Sequence, residues 1–225
     1  MQSQVFTPVT RTAIFSRHPF IDQVIAGFQR SYAADFDTAN RNDRLRLKRY
    51  YDHLLPFNEH EQPTGYCVIA CRAGTRREYL ENFPFSLVSF LSALDIHQLY
   101  LTHFTATDIL DEFRFENFHK KNLFRRMGAK KNRNLAWQFN TTDIPAVLPL
   151  FFFARVWDVP VVFLFSANEA SPLSLHLCDD GNLHLEYPLE REQRIQSAAA
   201  NSNFEVGGIE ICSGYSTAYH RQAER

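Results

Sequence analysis

Leu173-Ser-Leu-His-Leu-Cys178, Asp179-Asp-Gly-Asn182 and Leu183-His-Leu-Glu-Tyr187, read in succession, decide the fold. Apolar residues alternate with polar ones along both arms, the period of a strand with one face buried. Asp-Asp-Gly-Asn between them is turn chemistry. The alternation also fixes the register, because a slip of one residue would set leucines opposite polar groups. Leu177 should therefore face Leu183, Leu175 face Leu185, and Leu173 face Tyr187. The loop is then Asp179-Asp180-Gly181, a type I turn closed by a glycine in the left-handed region. On the opposite face His176 should lie across from His184, and Ser174 across from Glu186. Opposed Cβ atoms in such a pair sit ~5 Å apart. His176 and His184 are thus candidate metal ligands, with Glu186 next on the same face. The alternative reading is a polar face on which two neutral imidazoles touch.

Working outward, the β-branched and aromatic run from Pro160 to Ser166 predicts a buried strand. Tyr66–Cys71, His97–Phe104 and Leu135–Phe139 read as further strands, and Ile209–Cys212 as a last one. Ile21, Val24, Ile25, Phe28 and Tyr32 form one stripe at the helical period, with Pro19 suited to the first turn. A second, basic helix is expected from Asp43 to Leu55, and a third over Phe85–Leu94. Thr105-x-x-Asp108 resembles a capping box and should open a helix running to Met127, where Gly128 offers a left-handed cap. The stretch Ile144–Trp157 stays open: Thr142 could cap a helix, but Pro149 is awkward inside one and favours a helix that begins only there. The succession of strand, helix and strand over 98–139, and again over 135–166, predicts parallel neighbours. The expectation is an α/β or α+β fold: one domain spanning 1–225, with a mixed sheet of about five to seven strands flanked by helices. Its C-terminal part carries the hairpin at 173–187, and residues after 213 should be loosely ordered.

Composition narrows the class without naming a function. The chain has 225 residues, 45% hydrophobic and 22% charged, which excludes a disordered chain. No apolar run reaches the ~18 residues of a membrane span, and the N-terminal residues lack the basic and apolar regions of a signal peptide. Four cysteines make no disulfide framework, so a cytoplasmic location is expected. Cys67 and Cys71 should share one strand face as small hydrophobes. Most of the 21 phenylalanines should be core, the other use being a pocket for an acyl chain.

The net charge is −1, but it is unevenly spread along the chain. From Asn117 to Thr142 there is no acid, against seven bases: Lys120, Lys121, Arg125, Arg126, Lys130, Lys131 and Arg133. Such an arc is a candidate anion-binding surface for a nucleic acid, a coenzyme A phosphate or an acidic carrier protein. On one long helix the same charges would also complement the macrodipole, with acids early and bases late. That dipole does not account for Lys130, Lys131 and Arg133.

Three short strings are similar to known signatures. His18-Pro19-Phe20 is similar to the opening of the Fic motif but lacks its glycines and Asn-Gly-Arg. Arg114-Phe-Glu-Asn-Phe-His119 has the Arg-x4-His spacing of the all-helical HEPN ribonucleases. Arg125-Arg-Met-Gly128-Ala-Lys130 resembles the Arg-x-x-Gly-x-Gly/Ala loop of acetyl-CoA-dependent acyltransferases. There the loop opens a helix; here it should close one, and Lys130 replaces the small residue. No Walker loop, dinucleotide fingerprint, nucleophile elbow or zincin helix is present. Three function classes follow. The first is an acyltransferase-type enzyme docking coenzyme A or an acyl-carrier phosphate on the arc. The second is a nucleic-acid-associated, nuclease-like protein, for which Gln138-Phe-Asn140 lacks the usual metal-binding carboxylate. The third is a non-catalytic inhibitor or immunity-type protein. Catalytic residues cannot be named from the sequence.

Overall fold

A computed structural model describes residues 4–52, 63–113, 117–151, 162–178 and 181–211. Its strands are β1 (Thr7–Thr10), β2 (Thr64–Cys71), β3 (Gln98–Thr102), β4 (Leu135–Asn140), β5 (Phe163–Ser166), β6 (Ser174–Leu177), β7 (Leu183–Pro188) and β8 (Phe204–Gly207). They form one eight-stranded sheet in the order β1-β4-β3-β5-β6-β7-β2-β8, and every neighbouring pair is antiparallel. The helices are α1 (Arg11–Arg17), α2 (Pro19–Ala33), α3 (Arg41–Tyr50), α4 (Arg76–Ala93), α5 (Ile109–Glu112), α6 (Phe118–Arg126), α7 (Ile144–Val147) and α8 (Glu192–Asn201).

The hairpin forms as its pattern dictates. Leu177 pairs with Leu183, His176 with His184, Leu175 with Leu185 and Ser174 with Glu186. Gly181 has φ +87°, and its N–H donates to the Cys178 carbonyl at 3.0 Å, closing the turn. Leu173 lies just outside the ladder, its carbonyl accepting from Ser166 N.

The two sheet faces divide the core. One carries Leu99, Leu101, Trp137, Phe139, Leu164, Leu175, Leu183, Leu185, Cys67, Ile69 and Phe204, all buried with residues of α4, α6, α7 and α8. On the other, Tyr100, Ala136, Phe163 and Phe165 pack beneath Ile14 of α1 and Phe20, Ile21, Val24 and Ile25 of α2. Most phenylalanines among the described residues are core. Phe124, for example, meets Phe6, Trp137 and Phe151 edge-on at 4.9–5.4 Å between centroids.

Several expectations need correction. The sheet has eight strands rather than five to seven, and no neighbours are parallel. The helical excursion from β3 to β4 leaves and re-enters at the same end of the sheet, so β4 pairs antiparallel to β3. Strands β4 and β5 do run the same way, but β3 lies between them and opposes both. The expected helix from Thr105 to Met127 is instead two helices. Asp108 itself caps α5 by accepting from Leu110 N, while the Thr105 hydroxyl turns to His103. Gly128 does end α6, at φ +110°. Ala129 N donates to Phe124 O and Gly128 N to Arg125 O, the paired bonds of a glycine-terminated helix.

Helix α4 begins at Arg76 rather than Phe85. The signal is a capping box, Thr75-Arg-Arg-Glu78: Thr75 accepts from Glu78 N, and the Glu78 carboxylate takes Gly74 N. Helix α3 ends at Tyr50, short of the expected Leu55: Tyr51 is already extended, and 53–55 lie outside the described residues. Helix α7 starts at Ile144, not Pro149. Ile209–Ile211 is a turn and the start of a helical segment, and the last strand is Phe204–Gly207. Cys212 and the tail after 213 lie outside the described residues. None of the described helices is long and apolar enough to cross a membrane.

Candidate functional site

Strands β2 and β7 pair so that Tyr66 stands opposite Glu186 and Val68 opposite His184. Strand alternation then sets Tyr66, His184 and Glu186 on one face, joined by His176 and Ser174 from β6. Tyr66 Oη lies 2.7 Å from His184 Nδ1, a diagonal cross-strand hydrogen bond. Tyr66 is 48% exposed, so this pair is open to solvent on one side. Burial pushes the Glu186 carboxyl above its ordinary range. His176 lies flat on Phe163, with centroids 4.6 Å apart, and burial followed by the nearby His184 pushes it down to about 4.

Helix α2 roofs this polar cluster without closing on it. Between them is a cleft of about 330 Å³ lined by Gln23, Gly27, Phe28, Arg30, Thr64 and Glu186, among others. Gly27 is the informative residue. A glycine inside a helix costs about 0.5–1 kcal/mol relative to alanine. A Cβ built at Gly27 would meet nothing within 4 Å, so packing does not require the glycine. What its absence of a side chain preserves is the space of the cleft. Gly27→Ala is accordingly expected to raise the unfolding free energy by about 0.5–1 kcal/mol, measured by urea denaturation. A loss of stability would mean that the glycine serves the fold.

Of the candidate metal ligands, His176 and His184 stand as cross-strand neighbours. The His176 and His184 rings lie 5.8 Å apart and inclined by 63°. Among the described residues no group of three or more His, Cys, Asp or Glu side chains is placed to hold a metal ion.

The basic arc is dispersed. Lys120, Lys121, Arg125 and Arg126 lie on α6, and Lys130, Lys131 and Arg133 on the loop before β4. Lys131 Nζ is 2.9 Å from Asp111 Oδ2, and Lys121 Nζ is 4.0 Å from Asp111 Oδ1. Asp111 thus draws two of the seven bases toward α5, a pairing across a helix break that spacing did not reveal. With α5 and α6 separate, the dipole argument applies only to Arg125 and Arg126 in the last turn of α6. Glu116 lies outside the described residues.

A buried clamp missed from the sequence secures α1 and α2 beside the cleft. Arg11, 3% exposed, donates to Asp52 Oδ2 through Nε (3.1 Å) and Nη2 (2.6 Å), and through Nη1 to Thr102 Oγ1 and the His103 carbonyl. Gln29 of α2 adds bonds to Asp52 and to the Phe104 carbonyl. Burial pushes the Cys67 thiol up to about 11 and raises Cys71, as for inert core cysteines.

The sequence matches no protein-family model, and no curated protein and no solved structure is similar enough to it to match.

Proposed function

We propose that this chain is a proton-transfer enzyme whose small-molecule substrate lies in the cleft beneath α2. The observation that carries the reading is the Tyr66–His184 hydrogen bond on the same sheet face as Glu186, which with Thr64 lines the cleft. A carboxylate raised by burial is a stronger base than one in water, and perturbed groups in clefts mark acid–base sites. Glu186 takes a proton from the substrate. Tyr66 gives its proton to the atom on which negative charge builds, and is resupplied from His184 Nδ1.

The test is deuterium incorporation. Pools of small metabolites are incubated with the protein in D2O and followed by NMR for exchange at carbon. Exchange of at least one compound is expected, falling by about 100-fold or more in Glu186→Gln and in Tyr66→Phe. Exchange unchanged in both variants would sink the assignment.

Acyl transfer with coenzyme A or an acyl carrier docked on the basic arc is the second reading. It rests on Arg125, Arg126 and Lys130, which are exposed and form no ion pair among the described residues. Coenzyme A binding lost on replacing these three with alanine would favour it.

A further inference from the structure

A second cavity, of about 380 Å³, lies between α3, α5 and the loop before β4 and shares no lining residue with the cleft. Arg49, Lys131 and Arg133 line it together with Asp108, Asp111 and Glu112. Asp111 is taken up by Lys131 and Lys121. Asp108 spends one carboxylate oxygen on capping α5. Glu112, Arg49 and Arg133 make no ion pair among the described residues, although all three line the one cavity. Arg49 instead rests over the Tyr50 ring at 5.2 Å. Desolvation, then Asp111 and Asp108, raise the Glu112 carboxyl.

This lining selects by charge. A simple anion such as phosphate would meet three carboxylates. A divalent cation would meet three bases, and no metal-holding group exists among the described residues. Opposite charges that face one space without closing on each other complement a ligand that carries both signs. We propose that this cavity binds a small zwitterion, its ammonium toward Glu112 and Asp108 and its carboxylate toward Arg49 and Arg133. The two ends of the ligand replace the ion pairs that the cavity walls do not make with each other. The site is independent of the chemistry assigned to the cleft.

The probes are unbranched ω-amino acids from glycine to 6-aminohexanoate, with butyrate and butylammonium as single-charge controls. Binding is read from saturable amide shifts in 1H–15N spectra of the whole chain. At least one amino acid should saturate at a concentration where neither control does. Glu112→Gln and Arg133→Gln should each weaken it by about tenfold or more, since a hydrogen bond to a charged group is lost. Both side chains are exposed, so the variants should fold, which unchanged spectra away from the cavity will verify. Gly27→Leu, in the cleft, should leave this binding unaltered. No saturation by any amino acid, equal binding of a control, or binding retained in both variants would overturn the proposal.

Discussion

Arg11→Ala is expected to lower the unfolding free energy by about 3–5 kcal/mol, the cost of breaking a buried charged pair from one side. The guanidinium bonds to Asp52, Thr102 and the His103 carbonyl, and no other cation reaches Asp52 in that network. Removing it leaves Asp52, among the described residues, with the Gln29 amide, and leaves the His103 carbonyl after β3 with the longer bond from the Thr102 hydroxyl, 3.3 Å. Asp52 keeps 23% of its exposure, so water offsets part of the loss and the lower end of the range is expected. Arg11→Lys should recover little, because one ammonium cannot span acceptors that a planar fork reaches together. Urea denaturation of both variants measures this. A loss below about 1 kcal/mol would show the clamp to be incidental.

Acidification should have an effect of similar size. Thr105 N–H donates to His103 Nδ1 at 3.1 Å, so Nδ1 carries the lone pair and the ring proton sits on Nε2. Burial, with Arg11 adding to it, pushes His103 down to about 3, and burial pushes His176 down to about 4, from an ordinary 6.5. Since both are lowered in the folded chain, the unfolded chain takes up protons first as the pH falls. Their contribution to stability is complete above about pH 6.5 and is lost as the pH drops from there toward about 4 and 3. Between pH 7.5 and 5 each should cost about 2 kcal/mol. Glu186, Glu112 and Asp108 have the opposite sign: raised in the folded chain, they bind protons there first and return some stability at the acid end. His18, lowered chiefly by burial, adds to the loss, and His176→Leu should remove about 2 kcal/mol of it. Stability that stays flat from pH 7.5 to 5 would contradict the buried neutral state of both rings.

What the sequence revealed, and what it hid, follows from the range of each interaction. The hairpin ladder from Ser174–Glu186 to Leu177–Leu183 was legible because alternation is local, and it sets His176 against His184, whereas Leu173 falls outside the ladder and 179–180 lie outside the described residues. Strand direction was not legible. The residues of α5 and α6 do not say at which end of the sheet the chain returns, and the answer was the same end. The long helix over 105–127 failed because Thr105 found a nearer partner in His103, leaving Asp108 to cap a four-residue helix. Of the candidate site, Glu186 and His184 could be placed on one face from the pattern. Their partner Tyr66 could not, because it is 118 residues from His184 in sequence. The clamp is equally remote, with Arg11 and Thr102 separated by 91 positions. Gly27 carries no signal in the sequence, and the open space beside it is what gives that glycine a meaning.

The central claim, that the cleft beneath α2 is where this chain meets its substrate, is tested most directly by mapping where small molecules bind. Amide shifts of the wild type and of Gly27→Leu are recorded against a fragment library, the leucine being chosen to fill the space that Gly27 leaves open. The account predicts that saturable shifts cluster at Gly27, Ser31, Thr64 and Glu186 in the wild type and vanish in the variant while its fold is kept. Shifts that bypass these residues, or that persist with the cleft filled, would contradict it.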